Sequence, residues 1–343
     1  MRCLIAFLLA MTLGQVVAAE VPCRVQDARV IDSDFIPEYH FTGQESPQDL
    51  LSVYCLGADT WLFMGSIEQL STTNRGFNGN AGFVVTPEGV VVIDVLGTPL
   101  LGKRMIATIR SVTDQPIRYV VITHNHPDHY YGIAAFQDLP GVRIIAHQGL
   151  GRYLASPQFM QSVDYRREIL PGDMDGFKAV EPNMPVSLQP DEALSFELGG
   201  KHFEVFNTGT HHSDGDLLVY QADDGIVWAS DLVFNQRVTF IGDGNSEQAL
   251  AGLEWLSHHF EKAVLMVPGH GSAQTPPFPM LERTQDYLER LRAVMTQAIE
   301  NDVDLSDALE QAEFEDWRGV RLYKENHRAN ASFIYRELEQ ELF

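Results

Sequence analysis

Cysteine is scarce, with three residues in a chain of 343, which excludes a thiolate-rich metal site of the zinc-finger kind. Basic residues are scarce as well. Lys and Arg total 24 against 47 Asp and Glu, a formal net charge of -23. That balance repels phosphate backbones and anionic membrane surfaces and excludes nucleic acid as a partner. The acidic excess is spread along the chain rather than gathered in a tail, as in a solvated surface. After the N-terminal stretch no apolar run is long enough to read as membrane-spanning. What remains is 45% hydrophobic, enough at this length to bury a sizeable globular core.

Arg2 precedes an apolar run from Leu4 to Val17, broken by Thr12, Gly14 and Gln15, and Val17-Ala18-Ala19 offers small residues before Glu20. Residues 1–19 read as a cleaved signal peptide, which predicts a periplasmic or secreted protein. Pro22 stands where a small residue would be needed before a lipidated Cys23, so no stable membrane anchor is expected. Without Cys3 the mature chain keeps Cys23 and Cys55, an even pair that can form one disulfide in an oxidising compartment. The sequence does not fix their separation.

Residues 20–50, with Pro22, Pro37, Gly43 and Pro47, read as an extended arm or surface loop segment. From Val53 the texture turns to short β-rich runs: Trp61 to Met64, Gly82 to Val85, then Val90 to Ile93, the last two joined by the turn Thr86-Pro87-Glu88-Gly89. Leu101, Met105, Ile109 and Val112 place one apolar stripe on a helix that stops near Pro116. Tyr119 to Ile122 is continuously apolar, as in a strand buried on both faces. Later runs at Lys201–Phe206, Asp216–Tyr220, Gly225–Ala229 and Ala263–Val267 read as strands separated by turns or helices. The alternation predicts an α/β protein. Residues 150–190 lack periodicity and read as an irregular insertion able to cover a site. From Met280 the chain reads as helical, with Leu288, Leu291, Met295 and Ala298 on one face and a second helix from about Asn330. Residues 51–279 are thus taken as the main domain and 280–343 as a helical extension packed on it.

Immediately after the buried strand stands Thr123-His124-Asn125-His126-Pro127-Asp128-His129. Its side chains emerge at a strand's carboxyl end, where open α/β sheets place their sites. Four metal-competent side chains in six residues cannot all face one ion, because neighbours on a tight turn diverge. Two metals are the natural solution.

From about Gly76 to Gly271 the chain resembles the metallo-β-lactamase superfamily. The resemblance implies a four-layer αββα fold, here with additional C-terminal helices. It also implies that His124, His126 and His212 bind one metal, that Asp128, His129 and His270 bind a second, and that Asp231 bridges both. His212 is preferred to its neighbour His211 because Gly215-Asp216 follows at the family's usual spacing. Asp94 resembles the acid that orients a ligand histidine without touching metal. His40, His147, His202, His258, His259 and His327 have no comparable context. Asn78, Gly79 and Asn80 form a turn placed to edge the pocket.

Nitrogen and oxygen ligands suit two zinc ions, and also iron or manganese. The implied chemistry is hydrolysis of an ester, thioester, lactone or amide of a small-molecule substrate by a bridging hydroxide, with Asp128 and Asp231 as the catalytic carboxylates. Aspartate at 231 and histidine at 129 resemble the glyoxalase-II-like hydrolases more than the lactamases with a cysteine ligand. The Arg75–Phe83 block and the helical C-terminus resemble exported metallohydrolases associated with sulfur-oxidation or quinoprotein systems. An iron-dependent sulfur dioxygenase of the same fold is the alternative, and a non-catalytic binding role ranks third.

Overall fold

The computed structural model describes residues 28–39, 41–189 and 192–342; the signal-peptide reading, Cys3, Cys23 and His40 lie outside them. Two sheets pack face to face. The first runs in spatial order through β1 (Tyr54–Gly57), β2 (Thr60–Phe63), β3 (Ala81–Thr86), β4 (Gly89–Ile93), β5 (Ile117–Val121), β6 (Arg143–His147) and β7 (Met184–Val186). Its first four strands are antiparallel and β4 to β7 are parallel. The second sheet is an antiparallel run of β8 (Ala193–Leu198), β9 (Lys201–Gly209), β10 (Asp216–Gln221) and β11 (Ile226–Phe234), with β12 (Leu265–His270) added parallel to β11.

Period-two alternation explains why both sheets read as solid apolar runs. In β4, Val91 and Ile93 face the other sheet with Leu62, Phe203, Val219 and Trp228, while Val90 and Val92 face the outer helices. Gly82 is needed for this approach, since a Cβ there would meet the Trp228 ring at 2.0 Å. Outside the first sheet lie α1 (Pro99–Val112), α2 (Pro127–Tyr130), α3 (Gly149–Leu154) and α4 (Pro157–Ile169). Outside the second lie α5 (Ser246–His259), α6 (Pro279–Glu300), α7 (Leu305–Gln311) and α8 (Tyr323–Leu342). The result is the αββα four-layer arrangement.

Four sequence readings need correction. The α/β alternation does not hold throughout: β8 to β11 form a helix-free antiparallel run joined by turns, and α5 alone crosses between β11 and β12. Residues 150–190 contain α4, capped by Ser156 accepting from the Phe159 N–H. Its buried stripe is Phe159, Val163 and Arg166, so an arginine sits where periodicity looks for an apolar residue. The second C-terminal helix begins at Tyr323, before Asn330, because its first buried turns are Asn326, His327 and Asn330. The arm is not wholly superficial: Val30 is buried between the sheets, and Ile31 pairs with Ala273. Cys55 is disulfide-bonded, its partner lying outside the described residues. No helix among the described residues is long and apolar enough to cross a membrane.

His327 locks the C-terminal helices together. Its Nε2 donates to the Ala312 carbonyl at 2.5 Å, and Nδ1 accepts from the Tyr287 hydroxyl at 3.0 Å. Burial disfavours the charged ring and holds its pKa below the ordinary histidine value. The unfolded chain takes up a proton near pH 6.5 that the folded chain refuses, so the contribution present above that pH is lost as the pH falls below it. The thermal midpoint is expected to fall between about pH 7 and about pH 5.5, and less steeply in His327→Gln. Equal slopes for the two proteins would contradict this.

Candidate metal centre

The tips of four strands converge. β5 leads through Ile122 and Thr123 into His124 and His126, and Pro127 at the first position of α2 turns Asp128 and His129 back toward the sheet. The turn before β10 carries His212, β11 carries Asp231, and β12 ends on His270. Candidate ligand atoms of His124, His126, His212 and Asp231 lie within 4.8 Å of one another, and so do those of Asp128, His129 and His270. All seven sequence-predicted residues are brought together in this way.

Asp231 stands between the groups. Its Oδ2 is 3.0 Å from His212 Nε2, 3.2 Å from His270 Nε2 and 3.8 Å from His124 Nε2, and its Oδ1 is 3.3 Å from His129 Nε2. Gly269 makes room for it, since a Cβ there would fall 1.7 Å from Oδ1.

Hydrogen bonds behind the rings fix which nitrogen faces inward. His212 Nδ1 donates to the Phe240 carbonyl at 2.9 Å, and His129 Nδ1 donates to Asp94 Oδ2 at 2.8 Å. Asp94 also accepts from the Thr123 N–H and hydroxyl, both at 2.8 Å, and the Ser230 hydroxyl donates to Thr123 Oγ1 at 2.7 Å. Both Asp94 (φ 56°) and Ser230 (φ 49°) hold left-handed backbone beside the site, a conformation kept where surrounding contacts over-determine it. His126 Nε2 is 3.1 Å from Asp243 Oδ2 at the exposed rim, and Gln158 donates to the other oxygen of Asp243 at 2.8 Å.

The fit to metal rests on what these bonds leave over. Nε2 of His124, His129 and His212 and Oδ1 of Asp231 are buried without a hydrogen-bond partner, and such groups are costly unless something satisfies them. Inward-facing imidazole nitrogens and a shared carboxylate, without thiolate, are the donors a divalent ion takes. The charges agree. Burial alone would raise Asp231 and Asp128, but the surrounding histidines outweigh it, holding Asp231 well below the usual carboxylate range and Asp128 at about 2. Burial disfavours the His129 imidazolium, yet Asp231 and Asp94 raise it well above its ordinary value. That retained proton is the one a cation would displace.

The other histidines stand apart. His211 bonds Thr208 Oγ1 at 2.9 Å and is not in the cluster, His147 accepts from the Gly149 N–H, His202 pairs with Asp223, and His258 and His259 are exposed. Asn78 lines the cavity and donates to Asp128 Oδ2 at 2.9 Å, whereas Asn80 ties down the His270 turn by donating to the Pro268 and Gly271 carbonyls at 2.8 Å. The cavity, of about 460 Å³, is also lined by Arg166, Arg237 and Asp243, which sequence reading missed. No local motif surrounds them, although a stripe arginine on α4 is a signal that could have been used.

Asp94→Asn keeps the side chain's shape and removes the charge behind His129. Metal affinity, measured by competition with a chelator, is expected to fall about 10–100-fold. An unchanged affinity would remove Asp94 from the centre.

Residues 74–270 match the Metallo-beta-lactamase superfamily. The chain is 23% identical over 199 residues to metallo-beta-lactamase IND-1 of Chryseobacterium indologenes, covering 57% of this chain and 73% of that protein. A linear primary-alkylsulfatase of a Pseudomonas species is 36% identical over 53 residues, 16% of this chain and 10% of that protein. Among solved structures, a metallo-beta-lactamase from Pontibacter korlensis aligns with a TM-score of 0.56 at 20% identity, over 70% of this chain and 99% of that one. The stereoselective inverting sec-alkylsulfatase Pisa1 from Pseudomonas sp. aligns at 0.65 and 14% identity, over 83% of this chain and 50% of that one. The structural likenesses, at these identities, are of fold. With more than half its length matched and the fold shared, the chain belongs to the metallo-beta-lactamase superfamily.

Proposed function

We propose that this protein is a hydrolase with two metal ions, zinc for preference, acting on an ester, thioester, lactone or amide of a small molecule. The observation that carries the reading is the set of buried, unpartnered Nε2 atoms of His124, His129 and His212 around Asp231. His124, His126 and His212 would hold one ion and Asp128, His129 and His270 the other, with Asp231 shared. Bound divalent ions supply a water acidic enough to ionise near neutral pH and a Lewis acid for the scissile carbonyl.

The chain's own groups do the rest. Asp128, kept ionised by His129, His270 and Arg166 despite its burial, orients the attacking water and takes up its proton. Asn78 Nδ2 fixes that carboxylate from the cavity side. Asp231 sets the spacing of the two ligand groups, and Asp243 holds His126 from the rim. The Cys55 disulfide supports a protein that works in the periplasm or outside the cell.

Protein purified without added metal is expected to carry two ions per chain, one for each ligand group. Chelation should abolish turnover across a panel of aryl ester, thioester, lactone, β-lactam and alkyl sulfate; the last two are included because similar proteins carry those names. Asp128→Asn should lower kcat about 10²-fold or more, and His126→Ala should also lose metal. Iron as the resident metal, with oxygen consumed in the presence of a persulfide, would instead establish the dioxygenase alternative. Unchanged activity in His126→Ala on every substrate would end the metal-dependent account.

A further inference from the structure

We propose that Phe240, braced by Phe333 of α8, forms with Tyr165 of α4 a subsite for a flat aromatic group, and that the substrate carries an aryl ring close to the bond that is cleaved. This rests on the hydrolase reading above. Phe240 and Tyr165 line the same cavity as Asp128, Asp231 and His270. The Phe240 ring stands 6.5 Å from the His126 ring and 6.4 Å from the His212 ring, centre to centre. A group held on it therefore lies beside the ligands His124, His126 and His212. Phe333 meets Phe240 edge to face, with ring centres 6.1 Å apart and planes at 87°. Among the described residues none of these three aromatic side chains belongs to a hydrophobic core. Phe240 is half-buried, Phe333 is 36% exposed and Tyr165 57% exposed. Ring surface left facing water at a cavity is unfavourable until something apolar covers it, and it marks a ligand-binding groove.

The wall is built in place. Phe240 lies on the loop between β11 and α5, and its carbonyl accepts from His212 Nδ1 at 2.9 Å. On either side of it, Asn330 of α8 accepts from the Ile241 N–H at 3.1 Å and donates to the Thr239 carbonyl at 2.8 Å. Gly242 makes room for the two rings, since a Cβ there would fall 2.4 Å from the Phe240 ring and 2.5 Å from the Phe333 ring. At the rim the same loop is joined to α4, where Gln158 donates to Asp243 at 2.8 Å. Ser162 and Tyr165, about one and two turns further along that helix, line the cavity. The C-terminal extension thus takes part in choosing the substrate. A cavity of about 460 Å³ takes a small molecule rather than a protein segment. Aromatic walls favour a further ring over an alkyl chain, because offset or edge-on ring packing adds to the gain from buried area.

Three neutral esters test this on the zinc-loaded enzyme, with turnover followed by titration of the acid released: benzyl acetate, its isomer methyl phenylacetate, and pentyl acetate, an alkyl ester of similar hydrophobicity. The first two place the ring on opposite sides of the cleaved bond. In wild type one or both aryl esters are expected to be preferred to pentyl acetate by about 3–10-fold in kcat/KM, mainly through KM. Phe240→Ala should erase the preference, Phe240→Tyr should keep it, and Phe333→Ala should lower it. Binding without turnover is read by ligand-observed NMR titration with benzyl methyl ether and butyl methyl ether, neither of which has a carbonyl. The benzyl ether should bind more tightly, and its Kd should weaken about 3–10-fold in Phe240→Ala. Ester turnover without aryl preference in wild type, or a preference and ether Kd unchanged in Phe240→Ala, would overturn the proposal and leave the hydrolase reading standing. Phe240-dependent ether binding with no ester, thioester, lactone or amide cleaved would sink the hydrolase reading and keep the aromatic subsite.

Discussion

The structure is organised around a charge that cannot stand alone. Asp231 is carried on β11 to a largely buried position at the wall of the cavity, and four histidine nitrogens lie within 3.8 Å of its two oxygens. An ionised carboxylate at such a position requires a cation. In the metal-free protein part of that requirement is met by the proton retained on His129. The ring orientations nevertheless point past proton sharing, because Asp94 and the Phe240 carbonyl occupy the outward nitrogens of His129 and His212 and leave the inward ones unpartnered. A divalent ion satisfies several of these atoms at once, as no single proton can.

The rest of the fold holds this constellation still. Thr123 and Ser230, from different sheets, join through their hydroxyls behind His124, so the two sheets are tied where their ligands meet. The C-terminal helices take part as well. Asn330 on α8 accepts from the Ile241 N–H and donates to the Thr239 carbonyl, and Asn326 donates to the Val238 and Thr239 carbonyls. These bonds fix the segment that presents Phe240 to His212 and Arg237 to the cavity. The extension therefore bears on the geometry of the centre as well as on the burial of the second sheet's outer face.

Legibility in the sequence followed the range of the interaction. The hexapeptide from His124 to His129 could be read because its ligands are neighbours, and the hairpin at Thr86–Gly89 because turn chemistry is local. His212, Asp231 and His270 became candidates through the family resemblance, since nothing in their own neighbourhoods brings them within reach of the hexapeptide. Arg237, Arg166 and Asp243 escaped notice because a single charged residue on a loop or helix carries no pattern. Helices α4 and α8 were blurred for a related reason: Arg166, Asn326, His327 and Asn330 occupy their buried faces, and hydrophobic periodicity does not register polar groups recruited for positioning. The places where pattern reading failed are thus the places where the fold serves the pocket.

The central claim is that these side chains cage two metal ions about Asp231. The most direct test is anomalous scattering, above and below the zinc edge, from crystals of protein purified without added metal. The account predicts two peaks, one bounded by His124, His126 and His212 and one by Asp128, His129 and His270, each about 2.0–2.2 Å from an Asp231 oxygen. Absence of any peak there, with the histidines hydrogen-bonded only to the carboxylates, would contradict it.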